Sequence, residues 1–171
     1  MALVELSTRP APWAATHIEI AFDEDIPDER RVRLETRMGA ICLDRSRVVG
    51  LPSGLPGFQD ARSFALVRLP GTRFDPFLLM QFVEDPTTSF LVLPLDVTTE
   101  LYDPADLADA GRALGIRDED LGVLVIVNLR KNDGELVITV NLRAPLLIDL
   151  ASLKAWQHIM ESERYPIRFQ L

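Results

Sequence analysis

Short apolar runs, separated by turns rich in proline, glycine and aspartate, dominate the chain. The runs at 64–69, 77–83 and 90–93 are rich in Phe, Val and Leu, and each is bounded by proline or glycine. This length and composition favour buried strands over helices. Between 32 and 37 apolar and charged residues alternate with period two, which predicts a half-exposed strand. After a break at Gly39, a further strand is predicted.

Two longer runs, at 123–129 and 136–142, predict a β-hairpin. Asn132, Asp133 and Gly134 lie between them. Tight hairpin turns need positive φ at their central residues, and Asn-Asp-Gly supplies it at low cost. Both faces of the first run are apolar, so we expect that strand to be central.

One helix is predicted to begin after Asp103. Asp103 is a natural N-cap, Pro104 suits the first helical position, and Gly115 supplies a left-handed stop. Residues on the predicted apolar face recur at spacings of three and four: Leu107, Ala110 and Leu114.

Many short strands and one helix predict a mostly β fold, a small antiparallel β-barrel-like domain with one short helix on its side. Closure hides the strand edges. We assign residues 32–171 to this domain and residues 1–31 to an N-terminal extension. The extension holds a possible extra strand at 16–22, with Ile18, Ile20 and Phe22 on one face. That strand either pairs onto the main sheet or belongs to a loosely held arm.

Composition narrows the class of protein. A chain of 171 residues suits one domain, and its lone cysteine, Cys42, excludes an internal disulfide framework. No run approaches the ~20 apolar residues that span a bilayer, and the amino terminus lacks the basic start of a secretion signal. We therefore expect a cytoplasmic protein that does not bind membranes.

Negative charge is concentrated between 96 and 120, where eight acidic side chains face two arginines. Such a field repels nucleic acid and attracts basic protein surfaces. The alternative is that these carboxylates only solvate one helix and its flanks. The carboxylates that we predict to contact a protein partner are Glu84, Asp85, Glu100, Asp103, Asp106 and Asp109.

No motif predicts catalysis, a metal site or a cofactor. His17 and His158 lack partners at metal-ligand spacing. The glycine-rich stretch at 50–57 lacks the Gly-Lys-Ser/Thr ending of a phosphate-binding loop. Glu84-Asp85 is a candidate acid–base pair, but the following Pro86 favours a turn. The arginines at 30–37 alternate with other residues as on a solvated strand face, so we predict no direct binding of nucleic acid.

Five segments in register resemble the FliW family of flagellar assembly factors. They are Gly54-Leu55-Pro56-Gly57-Phe58, Gln81-Phe82-Val83-Glu84-Asp85-Pro86, Phe90-Leu91-Val92, Thr139-Val140-Asn141-Leu142-Arg143-Ala144-Pro145 and Tyr165-Pro166-Ile167-Arg168. The resemblance covers about 32–171, and the first 31 residues precede the point where the family normally begins. It implies a compact, mostly antiparallel, non-enzymatic β-barrel-like protein.

The resemblance also implies partners. Members of the family bind CsrA, a small basic RNA-binding dimer, and so relieve its repression of flagellin translation, and they bind flagellin, which competes. Phe58, Phe82 and Tyr165 are candidate apolar anchors for such a partner, with the core as the alternative for each. Two other hypotheses are a flagellin chaperone with no CsrA role and a small-barrel enzyme or ligand-binding module that uses the barrel mouth.

Overall fold

The computed structural model describes residues 11–21 and 25–171. Strands dominate this part of the chain, as predicted. They are β1 (Glu19–Ala21), β2 (Arg31–Thr36), β3 (Gly39–Asp44), β4 (Val49–Gly50), β5 (Ser63–Arg68), β6 (Leu78–Phe82), β7 (Ser89–Leu95), β8 (Leu121–Asn132), β9 (Glu135–Val140), β10 (Leu146–Asp149), β11 (Lys154–Gln157) and β12 (Phe169–Gln170). The helices are α1 (Pro12–His17) and α2 (Pro104–Ala113), with short 3₁₀ turns between strands.

Seven of these strands close into a barrel. Their order around the ring is β10, β11, β4, β5, β6, β7 and β8, and β8 pairs again with β10. All neighbours are antiparallel except β11 and β4, which are parallel. β9 and β12 extend the sheet outward from β8, and β2 and β3 form a separate hairpin. The predicted β-barrel-like fold is therefore confirmed.

Side chains that alternate along each strand divide between the interior and two outer faces. On β5, Phe64 and Leu66 belong to the interior cluster, whereas Ala65 and Val67 lie under the β2–β3 hairpin. On the other outer face, α2 and the C-terminal segment (158–171) cover the outward residues of β7, β8 and β10, among them Leu93, Leu95, Val123, Val125 and Leu147. The barrel wall is thus apolar on both sides.

Local signals in the sequence place the β8–β9 hairpin and α2 as predicted. Asp133 and Gly134 take φ values of 49° and 89°, the left-handed pair that a tight hairpin turn requires. β8 is central, since it pairs with β7, β9 and β10. At α2, the Ala105 N–H donates to Asp103 Oδ1 over 2.9 Å, and Gly115 ends the helix at φ 75°.

The N-terminal part differs from its prediction. Within the described residues, the strand predicted at 16–22 is present over β1, whereas Thr16 and His17 belong to α1, which begins at Pro12. Proline at the first helical position outweighed the period-two pattern there. Ile18 and Ile20 are both buried, but Ile18 lies in the barrel interior and Ile20 under the β2–β3 hairpin, so they do not share the predicted face. Phe22 lies outside the described residues. The domain boundary between residues 31 and 32 stays a prediction.

Leu66→Ala tests the barrel interior. Leu66 is 0% exposed and packs within the interior cluster, so its truncation leaves a cavity. We expect the free energy of unfolding to fall by about 2–5 kcal/mol, measured by urea denaturation. Leu136→Ala, at a leucine that is 59% exposed, is the matched control. A loss at Leu66 no larger than the loss at Leu136 would contradict this account of the core.

Candidate functional site

A groove of about 510 Å³ lies between α2 and the segment that follows β11. We call it the α2 groove, and its lining residues are Asp106, Asp109, Ala110, Ala113, His158, Met160, Glu161, Ser162 and Tyr165. Three of these carry carboxylates, and Met160 and the alanines supply apolar surface. The groove therefore offers a negative, partly apolar concave surface beside an exposed helix.

Tyr165 joins the two walls of this groove. Its hydroxyl donates to Asp106 Oδ2 over 2.5 Å and accepts from the Asp103 N–H over 3.1 Å. Arg164 Nη2 lies 3.0 Å from the same Asp106 Oδ2, and its guanidinium lies 5.5 Å from the Tyr165 ring centroid. The start of α2 is thereby fastened to the C-terminal segment by paired charge and by hydrogen bonds.

A second tyrosine supports this junction from beneath. The Tyr102 ring centroid lies 4.9 Å from that of Tyr165, and the Tyr102 hydroxyl donates to the Leu142 carbonyl over 2.8 Å. Burial raises the pKa of both phenols, and the hydrogen bond to Asp106 raises the pKa of Tyr165 further. Both hydroxyls are therefore protonated donors throughout the neutral pH range.

Much of the negative charge near α2 is paired within the molecule. Three arginines each bridge two carboxylates. Arg164 pairs with Asp103 and Asp106, Arg112 with Asp109 and Asp118, and Arg117 with Glu119 and Asp120. In these pairs the carboxylates still outnumber the arginines two to one. Two exposed glutamates add negative charge: Glu100 lies just before Asp103 in sequence, and Glu161 lines the groove. The surface stays negative, but less so than the sequence count alone indicated.

Glu84 and Asp85 lie elsewhere, at the turn between β6 and β7. Glu84 Oε2 accepts from the N–H groups of Arg62 and Ser63 over 3.1 and 2.9 Å, and Oε1 accepts from Ser63 Oγ over 2.6 Å. Asp85 accepts from the hydroxyls of Thr87 and Thr88. These contacts hold the ends of the loop together and favour a turn over an acid–base pair at Glu84-Asp85.

Phe58 and Phe82 meet in an aromatic cluster with Phe90. The Phe58 ring centroid lies 6.2 Å from that of Phe82 and 5.1 Å from that of Phe90. Phe82 is 0% exposed and Phe58 is 40% exposed. Tyr165 is 2% exposed. For Phe82 and Tyr165 this burial favours the core alternative, whereas Phe58 presents an aromatic face that neighbouring rings support from below.

The predicted residues therefore fall into separate places rather than one site. Asp103, Asp106, Asp109 and Tyr165 come together at the α2 groove, and Glu84, Asp85, Phe58 and Phe82 belong to the β6–β7 turn and the aromatic cluster. Sequence analysis missed His158, Met160, Glu161 and Arg164, because they follow α2 by some fifty residues. The neighbouring Tyr165 motif was the only available signal for them.

Comparisons with known proteins place the chain. A family model described as FliW protein matches residues 33–171. The chain belongs to the FliW family. It is 34% identical over 137 residues to the flagellar assembly factor FliW of Syntrophus aciditrophicus, covering 80% of this chain and 84% of that one. It is 31% identical over 133 residues to the FliW of Geobacter sulfurreducens, covering 78% and 81%.

A solved structure shares the fold. The crystal structure of a flagellar assembly factor FliW superimposes with a TM-score of 0.61 at 22% identity, covering 82% of this chain and 95% of that one. Within residues 11–21 and 25–171, no helix is both long and apolar enough to cross a bilayer. The FliW family and fold that the sequence motifs indicated are therefore confirmed.

Tyr165→Phe tests the junction at the α2 groove. Loss of the hydroxyl leaves Asp106 and the Asp103 N–H without this partner, so we expect a loss of about 1–3 kcal/mol in the free energy of unfolding. We also expect the amides in the first turn of α2 to exchange faster in this variant than in the unsubstituted protein, while exchange in β8 stays the same. Tyr102→Phe is the matched control, since its hydroxyl bonds to the Leu142 carbonyl instead. Unchanged exchange at α2 in Tyr165→Phe would contradict this role.

Glu84→Ala tests the β6–β7 turn through pH. Burial opposes ionisation of Glu84, but hydrogen bonds from Ser63 and Arg62 outweigh it and hold its pKa below the usual value. A lowered folded-state pKa stabilises the protein above the ordinary glutamate pKa, and this contribution is lost as pH falls through the folded-state value. We expect Glu84→Ala to be destabilising at pH 7 and to flatten the fall in stability between about pH 5 and pH 3. Glu100→Ala, at an exposed glutamate outside this turn, is the matched control, and equal flattening by the two variants would contradict this role of Glu84.

Proposed function

We propose that this protein is a non-enzymatic flagellar assembly regulator that binds a CsrA-type RNA-binding repressor and flagellin. By occupying the repressor it relieves repression of flagellin synthesis, and free flagellin competes for it. The observation that carries the proposal is the match of residues 33–171 to the FliW family. No cofactor, nucleic acid or membrane takes part, and the place of action is the cytoplasm, where the repressor and its messenger RNA meet.

The α2 groove is the candidate contact for the basic partner. It combines the carboxylates of Asp106, Asp109 and Glu161 with apolar surface from Met160. A negative rim steers a positive protein and repels the phosphates of RNA, which raises the association rate more than the final affinity. The arginine pairs within the rim hold its carboxylates in defined positions, so that they are presented in fixed geometry.

Phe58 is the candidate apolar anchor. An aromatic side chain can anchor a partner when neighbouring groups hold its ring in place and its face is exposed until the partner covers it. Phe58 satisfies both conditions, since Phe82 and Phe90 support its ring while 40% of the residue remains exposed. The barrel interior does not favour the ligand-module hypothesis, because it is filled by apolar residues such as Phe64, Leu66 and Met80.

Calorimetric titration with a CsrA-type regulator, and separately with flagellin, tests the function. We expect both proteins to bind. Binding of the regulator should weaken as salt rises, because exposed charges are screened beyond about 10 Å at 0.1 M. Binding of flagellin with no binding of the regulator would instead support a flagellin chaperone with no CsrA role. Binding of neither protein would overturn the proposal.

Asp109→Lys locates the contact. It reverses one exposed charge on the rim of the α2 groove, so we expect the Kd for the regulator to rise about tenfold, mainly through a slower association rate. Glu135→Lys is the matched control, since Glu135 is an exposed carboxylate at the far end of the β8–β9 hairpin. Equal effects of the two variants would show that net charge, rather than the α2 groove, governs binding.

A further inference from the structure

The segment 11–21, which we call the strap, precedes the part of the chain that matches the FliW family. The family match begins at residue 33, and a solved relative is covered over 95% of its length by 82% of this chain. The strap nevertheless lies in the structure as two elements, α1 and β1. What the strap covers on the barrel is therefore a feature beyond the matched domain.

The strap fills an edge of β5 that the barrel strands leave open. One edge of β5 pairs with β6 from Phe64 to Val67. On the other edge, β4 pairs only at Ser63 and Phe64, and β1 takes the positions from Leu66 to Arg68. Without β1, the N–H and C=O groups of this half of β5 would form an unpaired strand edge, which is a template for another strand.

Apolar side chains of the strap enter both layers of the barrel wall. Ile18 and Ala14 belong to the interior cluster, and Ile20 to the cluster under the β2–β3 hairpin. Trp13 donates from Nε1 to the Leu95 carbonyl over 2.9 Å, and its ring lies so close to Gly122 that a Cβ there would be 3.1 Å away. The barrel therefore presents a shaped, apolar seat for this segment.

Between the two isoleucines, Glu19 carries a buried carboxylate. One oxygen, Oε1, pairs with Arg68 Nε, and the Glu19 carbonyl accepts from Arg47 Nη1 over 2.7 Å. Glu19 is only 7% exposed, and within the described residues its Oε2 has no hydrogen-bond partner. Burial of Oε2 costs free energy, which the ion pair between Oε1 and Arg68 offsets, so the strap is held less firmly than its apolar contacts alone indicate.

The strap's own local structure is too small to hold it in place. α1 has six residues, far below the length at which an isolated helix is stable, and β1 forms three parallel pairs. We propose that this edge of β5 is a strand-acceptor site that residues 11–21 fill in cis, and that the strap leaves it for an extended peptide while the barrel stays folded. The ligand class is a peptide with a carboxylate between two aliphatic side chains, as in Ile18-Glu19-Ile20.

Hydrogen exchange on the full-length protein tests whether the strap opens separately. We expect the amides of β1 to exchange at least about tenfold faster than those of β8. The free energy of the opening that exposes them should depend less on denaturant concentration than the free energy of global unfolding does. E19Q removes the charge that pairs with Arg68 and should raise exchange in β1 by about a further tenfold without changing β8. E35Q is the matched control, because Glu35 also pairs with an arginine, Arg33, but is exposed. Exchange of β1 only through global unfolding would overturn the proposal.

Peptide binding tests the acceptor site itself. A fluorescein-labelled peptide with the sequence of residues 11–21 is titrated into full-length E19Q, full-length E35Q and the unsubstituted protein, and anisotropy is measured. We expect E19Q to bind it at least about tenfold more tightly than E35Q does, since the weakened strap competes less. A peptide with Ile18 and Ile20 replaced by serine should not bind.

Protection of α2 amides verifies the fold of each variant. If E19Q fails this check, W13F replaces it, because it removes the hydrogen bond from Trp13 to the Leu95 carbonyl and part of the ring that packs against Gly122. If the peptide binds equally to E35Q and to E19Q or its replacement W13F, or if it binds to neither, the proposed acceptor site is overturned.

Discussion

Closure of the barrel is the constraint on which the rest of the structure depends. β10 achieves it by pairing with β8 on one edge and β11 on the other, and β11 reaches β4 through a single parallel pair at Lys154 and Gly50. Once the ring is closed, alternate residues of every strand face an apolar interior, and the others must be covered from outside. The two covers, α2 on one side and the β2–β3 hairpin on the other, follow from that requirement.

Each cover has a polar contact at its margin. Tyr165 and Arg164 hold the start of α2, and Arg30 lies 3.4 Å from buried Asp44 at the base of the β2–β3 hairpin. The Asp44 carboxyl is held ionised because hydrogen bonds from Ser46 outweigh burial and lower its pKa. The contact at Tyr165 joins α2 to the segment after β11, whereas the contact at Asp44 lies within the hairpin and joins its two strand ends. The position of the α2 groove is a consequence of the first.

The acidic residues show that a count of charges along the sequence does not describe the charge of the folded surface. The acidic stretch from 96 to 120 was evident in the sequence, and the position of Asp106 and Asp109 on α2 followed from the helix signals. Arg112 and Arg117 pair with carboxylates close to them in sequence, but Arg164 reaches Asp103 and Asp106 from the far end of the chain, which no local pattern indicated. Glu84 and Asp85 were candidates both for a partner contact and for a turn. Glu84 is exposed, but it also accepts from the Ser63 N–H across twenty residues of chain, a contact that no local pattern indicated.

By itself, the sequence determined the mostly β class, the tight turn at Asp133-Gly134, the span of α2 and the FliW family, since turns, caps and periodicity are local properties. The tertiary structure decided which strands close the ring, that Arg164 pairs with Asp103 and Asp106, and which aromatic rings remain exposed. It also decided that Glu19 is buried against Arg68. These features depend on residues that are distant along the chain, and no local pattern encodes a distance between them.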